Sequence, residues 1–242
     1  RNFYKGTILT INKKNNITAL VPVKGNSERV KKKNLRKFHN SNLLEIKLKQ
    51  LKKTNCFSKI IISSEDTKVL EIAKKHNFEV HKRNPYYSSS KVPMSEVYSY
   101  IASEIEGENI AWINLTNPLA GPEIYNEAVK RYIKFKNKFD CLLSSVETKQ
   151  NFFYKNKPIN FKPYPWRRSQ DLKPLVSLSF IINILKRKMM IKLGSCVGKK
   201  PYFFYVNPII SLDIDDIYSF KLSEAVYKNK TLGITKKQFF KY

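Results

Sequence analysis

The sequence predicts an α/β protein built on a mostly parallel sheet with helices on both faces. Three observations carry that reading. Short apolar runs of strand length alternate with amphipathic stretches of helix length along most of the chain. With 242 residues and 42% hydrophobic content, the chain can bury one full core. Only 7 Gly and 11 Pro exclude collagen-like and low-complexity classes.

In order, residues 18–23 (Thr-Ala-Leu-Val-Pro-Val) read as a buried strand and 24–29 as a loop. Residues 43–51 place Leu43, Leu44, Ile46, Leu48 and Leu51 in an amphipathic helix, with Lys47, Lys49 and Gln50 between them. Residues 58–63 are a second strand, and Glu65 and Asp66 suit the first turn of the helix carrying Val69, Leu70, Ile72 and Ala73. A third strand over 77–80, a helix over 94–105 and a fourth strand over 109–115 follow. Pro118 and Pro122 bracket a turn before a helix over 123–135, and 140–146 is a fifth strand. In such sheets ligands bind beyond the carboxyl ends of the strands, which singles out the loops beginning at Lys24, Ser64, Arg83 and Thr116.

From 151 to 168 the pattern changes to crowded aromatics and prolines without helix or strand period. Rigid aromatics of this kind fit a subunit contact, and equally a loop packed on itself. Strand patterning resumes over 178–184, 202–206 and 211–214, and a helix over 218–227 closes the fold. No internal repeat is visible.

The charge is +27, from 46 Lys and Arg against 19 Asp and Glu. Such an excess fits a nucleic-acid footprint or a solvated lysine-rich exterior. The basic residues run through every segment and no RNA- or DNA-binding module is present, so nucleic acid is the lesser reading. The longest apolar run, 176–185, is broken by Ser177, Ser179 and Asn183, against the roughly 20 residues a membrane span needs. No membrane association is expected. The chain starts at Arg1 without an apolar signal region, which reads as a trimmed piece rather than a secreted precursor. Cys56, Cys141 and Cys196 are odd in number and far apart, so no disulfide framework is expected and a reducing cytoplasm is the expected location. His39, His76 and His81 lack the spacing of structural zinc ligands.

Two segments carry candidate chemistry. The loop after the first strand holds Lys24, Gly25, Asn26, Ser27, Arg29, Lys33 and Asn34. Glycine allows close backbone approach to a phosphate, Ser and Asn are short donors, and cations at both ends can clamp a polyphosphate. It is not a Walker loop, since Gly-x-x-x-x-Gly-Lys-Ser is absent. The second segment is Ser211-Leu212-Asp213-Ile214-Asp215-Asp216. On a strand Asp213 and Asp215 would share one face, where paired carboxylates can hold Mg2+ together with substrate phosphates.

Together these features describe a site for a nucleoside triphosphate and its metal. Residues 19–34 (Ala-Leu-Val-Pro-Val-Lys-Gly-Asn-Ser-Glu-Arg-Val-Lys-Lys-Lys-Asn) resemble the opening motif of the acylneuraminate cytidylyltransferase family, the CMP-sialic acid synthetases and their relatives. The resemblance continues through Ile60-Ile61-Ile62-Ser63-Ser64-Glu65-Asp66 and Asn114-Leu115-Thr116-Asn117-Pro118-Leu119, and ends at Ser211-Leu212-Asp213-Ile214-Asp215. It implies a nucleotide-diphospho-sugar transferase, Rossmann-like fold over 18–242 after an N-terminal extension of 1–17, with an inserted dimerisation subdomain over 151–187 and hence a homodimer. It implies Lys24 and Lys33 at the triphosphate of CTP, with Gly25, Asn26, Ser27, Arg29 and Asn34 in the same loop. Arg83 would lie near the cytidine, Ser95 near the nucleotide phosphate, and Asp213 and Asp215 would hold Mg2+. The implied reaction is attack of an acceptor oxygen on the CTP α-phosphorus with release of pyrophosphate, giving a CMP-nonulosonate for a surface glycan.

The chain also departs from that pattern. Lys24 replaces an arginine, Glu28 replaces a lysine, and residues 175–180 read Leu-Val-Ser-Leu-Ser-Phe where sialic acid-activating members carry Arg-Pro-Asn-Gly. Arg167, Arg168, Gln170, Lys91 and Asn114 are the candidate acceptor contacts in its place. Guanidinium groups suit a sugar carboxylate, and equally a phosphonate or another small anion.

Overall fold

The computed structural model describes residues 16–25 and 27–229, so most of the expected N-terminal extension and residues 230–242 lie outside the described part. The elements in chain order are β1 (Ile17–Pro22), β2 (Lys37–Phe38), β3 (Ser41–Asn42), α1 (Leu43–Lys52), β4 (Lys59–Ser64), α2 (Thr67–Lys75) and β5 (Glu79–Lys82). Next come α3 (Met94–Glu104), β6 (Asn109–Trp112), α4 (Pro122–Phe135), β7 (Cys141–Thr148), β8 (Phe153–Tyr154) and β9 (Lys157–Pro158). The last are β10 (Leu175–Lys186), α5 (Arg187–Leu193), β11 (Pro201–Tyr205) and α6 (Ile217–Lys228).

Seven strands form the main sheet in the order β11-β7-β10-β6-β1-β4-β5. β1 pairs parallel with β4 and β6, β4 with β5, and β11 with β7. β10 alone runs against its neighbours, β6 and β7. The mostly parallel α/β reading therefore holds.

The continuous apolar runs follow from burial on both faces. In β1, Ala19 and Val21 join a core with Leu44, Leu48, Ile62 and Ile184, while Leu20 joins the opposite core with Ile101, Trp112 and Leu185. Helix starts are fixed by side-chain caps: Asn42 Oδ1 accepts from the Glu45 amide at 2.9 Å, Asp66 caps α2, and Asp216 and Ser219 form a reciprocal box on α6.

Four expectations need correction. Residues 211–214 are not a strand: a turn over 208–211 leads into irregular backbone tied to Thr116 O by the Ile214 amide at 3.0 Å. α5 was not expected, because its four basic residues in or beside a seven-residue helix hide its period; it stops at Gly194, whose φ of 57° suits glycine. The aromatic excursion ends before 187, since β10 from Leu175 onward belongs to the main sheet. Lys47, read as a polar position between apolar ones, is fully buried.

Candidate active site

The carboxyl ends of β1, β4 and β6 open on one side of the sheet, and the loops leaving them build a cleft. Its first compartment, about 420 Å³, is lined by Lys24, Ser27, Arg29, Lys33, Asn34 and Thr116, among others. A second, about 300 Å³, shares Pro22, Lys24 and Asn114 and adds Arg83, Tyr98, Trp112 and Phe180. A third, about 420 Å³, contains Asp213 and Asp215 and shares Phe180 with the second.

The basic loop is held as a unit. Asn34 Nδ2 donates to Lys24 O at 2.7 Å, closing it, and the Gly25 amide donates to Glu65 Oε1 at 2.8 Å. A Cβ on Gly25 would lie 2.5 Å from Asp66 Cβ, so glycine is required by close approach. Glu65 also accepts from Arg83 Nη2 at 2.8 Å and Ser88 Oγ at 2.6 Å, and Arg83 Nη2 donates to Val23 O at 2.8 Å. Burial pushes the Glu65 carboxyl up, but its hydrogen bonds from Ser88, Arg83 and Gly25 outweigh that and hold it below its ordinary value. The expectation that Glu65 serves the first turn of α2 is therefore corrected: Asp66 caps the helix, and Glu65 locks the basic loop to β4 and to the Arg83 loop.

Lys33 brings the two candidate segments together. Its Nζ donates to Ile214 O at 2.5 Å, between Asp213 and Asp215. Burial lowers the Lys33 pKa while both carboxylates oppose the shift. Arg29 Nη2 meets Asp215 Oδ1 at 2.8 Å in an exposed pair. Asp213 is half-buried, and burial raises its carboxyl above the ordinary value against the Thr116 hydroxyl and Lys33. Among the described residues its Oδ1 has no hydrogen-bond partner. A buried, unpartnered carboxylate oxygen near a second, exposed carboxylate fits a hard divalent cation. Among the described residues no cluster of three or more His, Cys, Asp or Glu gathers, so substrate oxygens would complete such a cation's shell.

The remaining expected residues divide. Lys24, Gly25, Ser27, Arg29, Lys33, Asn34, Arg83 and Asn114 line the cleft or its supporting loop. Asn26 lies outside the described residues. Ser95 packs against Gly194 at the end of α5, 3.0 Å from where a Cβ on that glycine would sit, and lines none of the three compartments. Lys91 is exposed and lines none of them either. Arg167 lines a separate cavity within the excursion, Arg168 pairs with Asp171 at 3.0 Å, and Gln170 O accepts from Lys149. Within one chain these three do not meet the cleft.

Sequence reasoning missed Glu65, Lys47 and Asn117. A signal existed for two of them. Glu65 directly follows a parallel strand, where ligand-site residues concentrate, and Lys47 sits four residues from both Leu43 and Leu51, on their buried face.

Residues 18–237 match the cytidylyltransferase family. The chain is 23% identical over 229 residues to post-translational flagellin modification protein B of Campylobacter coli, covering 89% of this chain and 97% of that one. It is 22% identical to a pseudaminic acid cytidylyltransferase of Campylobacter jejuni, covering 86% and 95%. It is 24% identical to N-acylneuraminate cytidylyltransferase A of Danio rerio, covering 84% of this chain but 49% of that longer one. The fold matches a CMP:2-keto-3-deoxy-manno-octonic acid synthetase solved with CTP, at a TM-score of 0.64 and 8% identity over 88% of this chain and 99% of the other. With the family spanning nearly all described residues, the chain belongs to the cytidylyltransferases, a family of CTP-dependent nucleotidyltransferases.

Proposed function

We propose that the chain transfers CMP from CTP to an acidic sugar of the nonulosonate class, releasing pyrophosphate, in the cytoplasm and for synthesis of a surface glycan. The observation that carries this reading is the convergence of the Gly25 loop, Lys33 and the Asp213 and Asp215 carboxylates at one cleft. The named relatives act on pseudaminic acid and N-acylneuraminate, which is what the class of acceptor rests on.

The chemistry asks little covalent work of the protein. An acceptor oxygen bonds to the CTP α-phosphorus as the bond to the β-phosphate oxygen breaks, so positioning and charge neutralisation dominate. Lys24, Lys33 and Arg29 supply cations to the triphosphate. The Arg29–Asp215 pair is exposed and costs little to open, so Arg29 can turn to phosphate as Asp215 turns to a metal. Asp213 and Asp215 would hold Mg2+, which when bound neutralises charge developing on the phosphates. Asn114 stands between the first two compartments, where an acceptor would enter.

A homodimer is part of this proposal. The excursion exposes Phe153, Tyr154, Tyr164 and Trp166, and Tyr164 and Trp166 are 89% and 70% exposed. A second copy packed there would bury them. The test of acceptor class is pyrophosphate release from CTP against a panel of nonulosonates, an octulosonate and small phosphonates. Turnover confined to acidic sugars is expected, and turnover confined to phosphonates would overturn the reading.

A further inference from the structure

Lys47 places an amine in a fully buried position on α1, and among the described residues no carboxylate touches it. Its Nζ donates to Asn117 O at 2.9 Å and to the Tyr125 hydroxyl, and lies 5.1 Å from the centre of the Tyr125 ring. Burial pulls its pKa down to about 7, against the attraction of Asp213. A methionine would fill the same space without the cost of burying a polar amine, so packing alone does not account for a lysine there.

The group it holds is a junction. Asn117 is itself fully buried, and its side-chain Nδ2 lies 3.4 Å from Ser179 O, 3.4 Å from Ser211 O and 3.3 Å from Leu212 O. Ser179 precedes Phe180, and Leu212 precedes Asp213. Phe180 has a φ of 53°, in the left-handed region that a bulky side chain occupies only when its surroundings impose it. It sits at the irregularity of β10 between Leu178 and Asn183, and its side chain walls both the second and third compartments. Asp213, whose Oδ1 is buried, lines the third. One amide therefore reaches the two segments that shape the cleft beside the triphosphate loop.

We infer that Lys47 is a positioning residue for the transfer reaction: by pinning the Asn117 backbone it aims the Asn117 amide at the segments carrying Phe180 and Asp213. The catalytic consequence rests on the proposed function, whereas the structural coupling does not. Lys47 lines none of the three compartments, and its link to them runs through Asn117.

Hydrogen exchange on the free full chain tests the coupling without any substrate. In Lys47→Met and in Asn117→Ala, exchange over 178–183 and 210–215 should quicken together by roughly tenfold, with β1 and β4 unchanged. Turnover should fall by roughly tenfold while CTP affinity, read by calorimetry, stays within about threefold. The double variant should be no worse than the worse single one, because both remove the same link. Faster exchange confined to α1 and α4, or effects that multiply in the double variant, would overturn the inference. If Lys47→Met does not fold, Asn117→Ala decides alone: unchanged exchange in either segment refutes the coupling. Altered exchange in a chain that transfers CMP to no acidic sugar would leave the coupling standing and remove the proposed function.

Discussion

Glu65→Ala is the most informative single perturbation of the cleft's scaffold. The Arg83 side chain is 1% exposed and Glu65 18%, and their 2.8 Å contact is the only ion pair recorded for that guanidinium among the described residues. Removing one partner of a buried pair costs about 3–5 kcal/mol, because the survivor stays buried and uncompensated. Partial exposure of Glu65 puts the expected loss near the lower end, about 3 kcal/mol. For a domain of this size that is a fall of roughly 6–12 °C in thermal midpoint. The same change frees the Gly25 amide and the Ser88 hydroxyl, so CTP affinity should fall in parallel. Scanning calorimetry and CTP titration read the two effects. Glu65→Gln should lose less, since it keeps the shape and one acceptor while dropping the charge. The sign with pH is fixed by the lowered folded pKa of Glu65: its stabilisation is complete above the unfolded value, near 4.3, and is lost as pH falls through the folded one. The gap between wild type and Glu65→Gln should therefore close on acidification below about pH 4. A Glu65→Ala protein with unchanged midpoint and unchanged CTP affinity would refute the claim that this ion pair holds the loop.

Three further outcomes follow from the same geometry. Asp213→Asn should raise the thermal midpoint of the free protein near pH 7, because burial raises the folded pKa of that carboxyl and its ionised form opposes folding, yet it should lower CMP transfer by roughly 100-fold. Gly25→Ala should cost about 1–3 kcal/mol by forcing a Cβ against Asp66, and should weaken CTP binding measured by calorimetry. Tyr164→Asp with Trp166→Asp should convert the proposed dimer to monomers in sedimentation while leaving the monomer's midpoint within a few degrees, since both rings are exposed in the single chain.

Much of the fold was legible because parallel strands buried on both faces leave continuous apolar runs, as in β1 and β4. The Gly25 loop was legible because a basic, glycine-containing run follows a buried strand, and the Asp213 segment because an acidic cluster stands out in a chain with 19 Asp and Glu. The strand reading of 211–214 failed because the alternation of Leu212 and Ile214 mimics a strand period, whereas Leu212 is only half-buried and Ile214 alone reaches the core. Glu65 was misread because a local rule about helix first turns competed with a tertiary demand, the compensation of buried Arg83. Lys47 was misread because a lysine suggests solvent whatever its register. Its partner Asn117 carries no sequence signal, since its role depends on three carbonyls from segments more than 60 residues away. Arg167, Arg168 and Gln170 were expected from nearness in sequence to the point where the chain departs from the family motif, and the single chain keeps them apart from the cleft.

The central claim is that the Gly25 loop, Lys33 and the paired carboxylates form one CTP-consuming site. Its most direct test is product analysis with CTP, Mg2+ and a nonulosonate acceptor, comparing wild type with Lys33→Met and Asp213→Asn. The account requires a CMP-linked sugar and pyrophosphate in equal amounts from the wild type, with both variants slowed by roughly 100-fold. Full activity in either variant, or no CMP-linked product from the wild type with any acidic sugar, would contradict it.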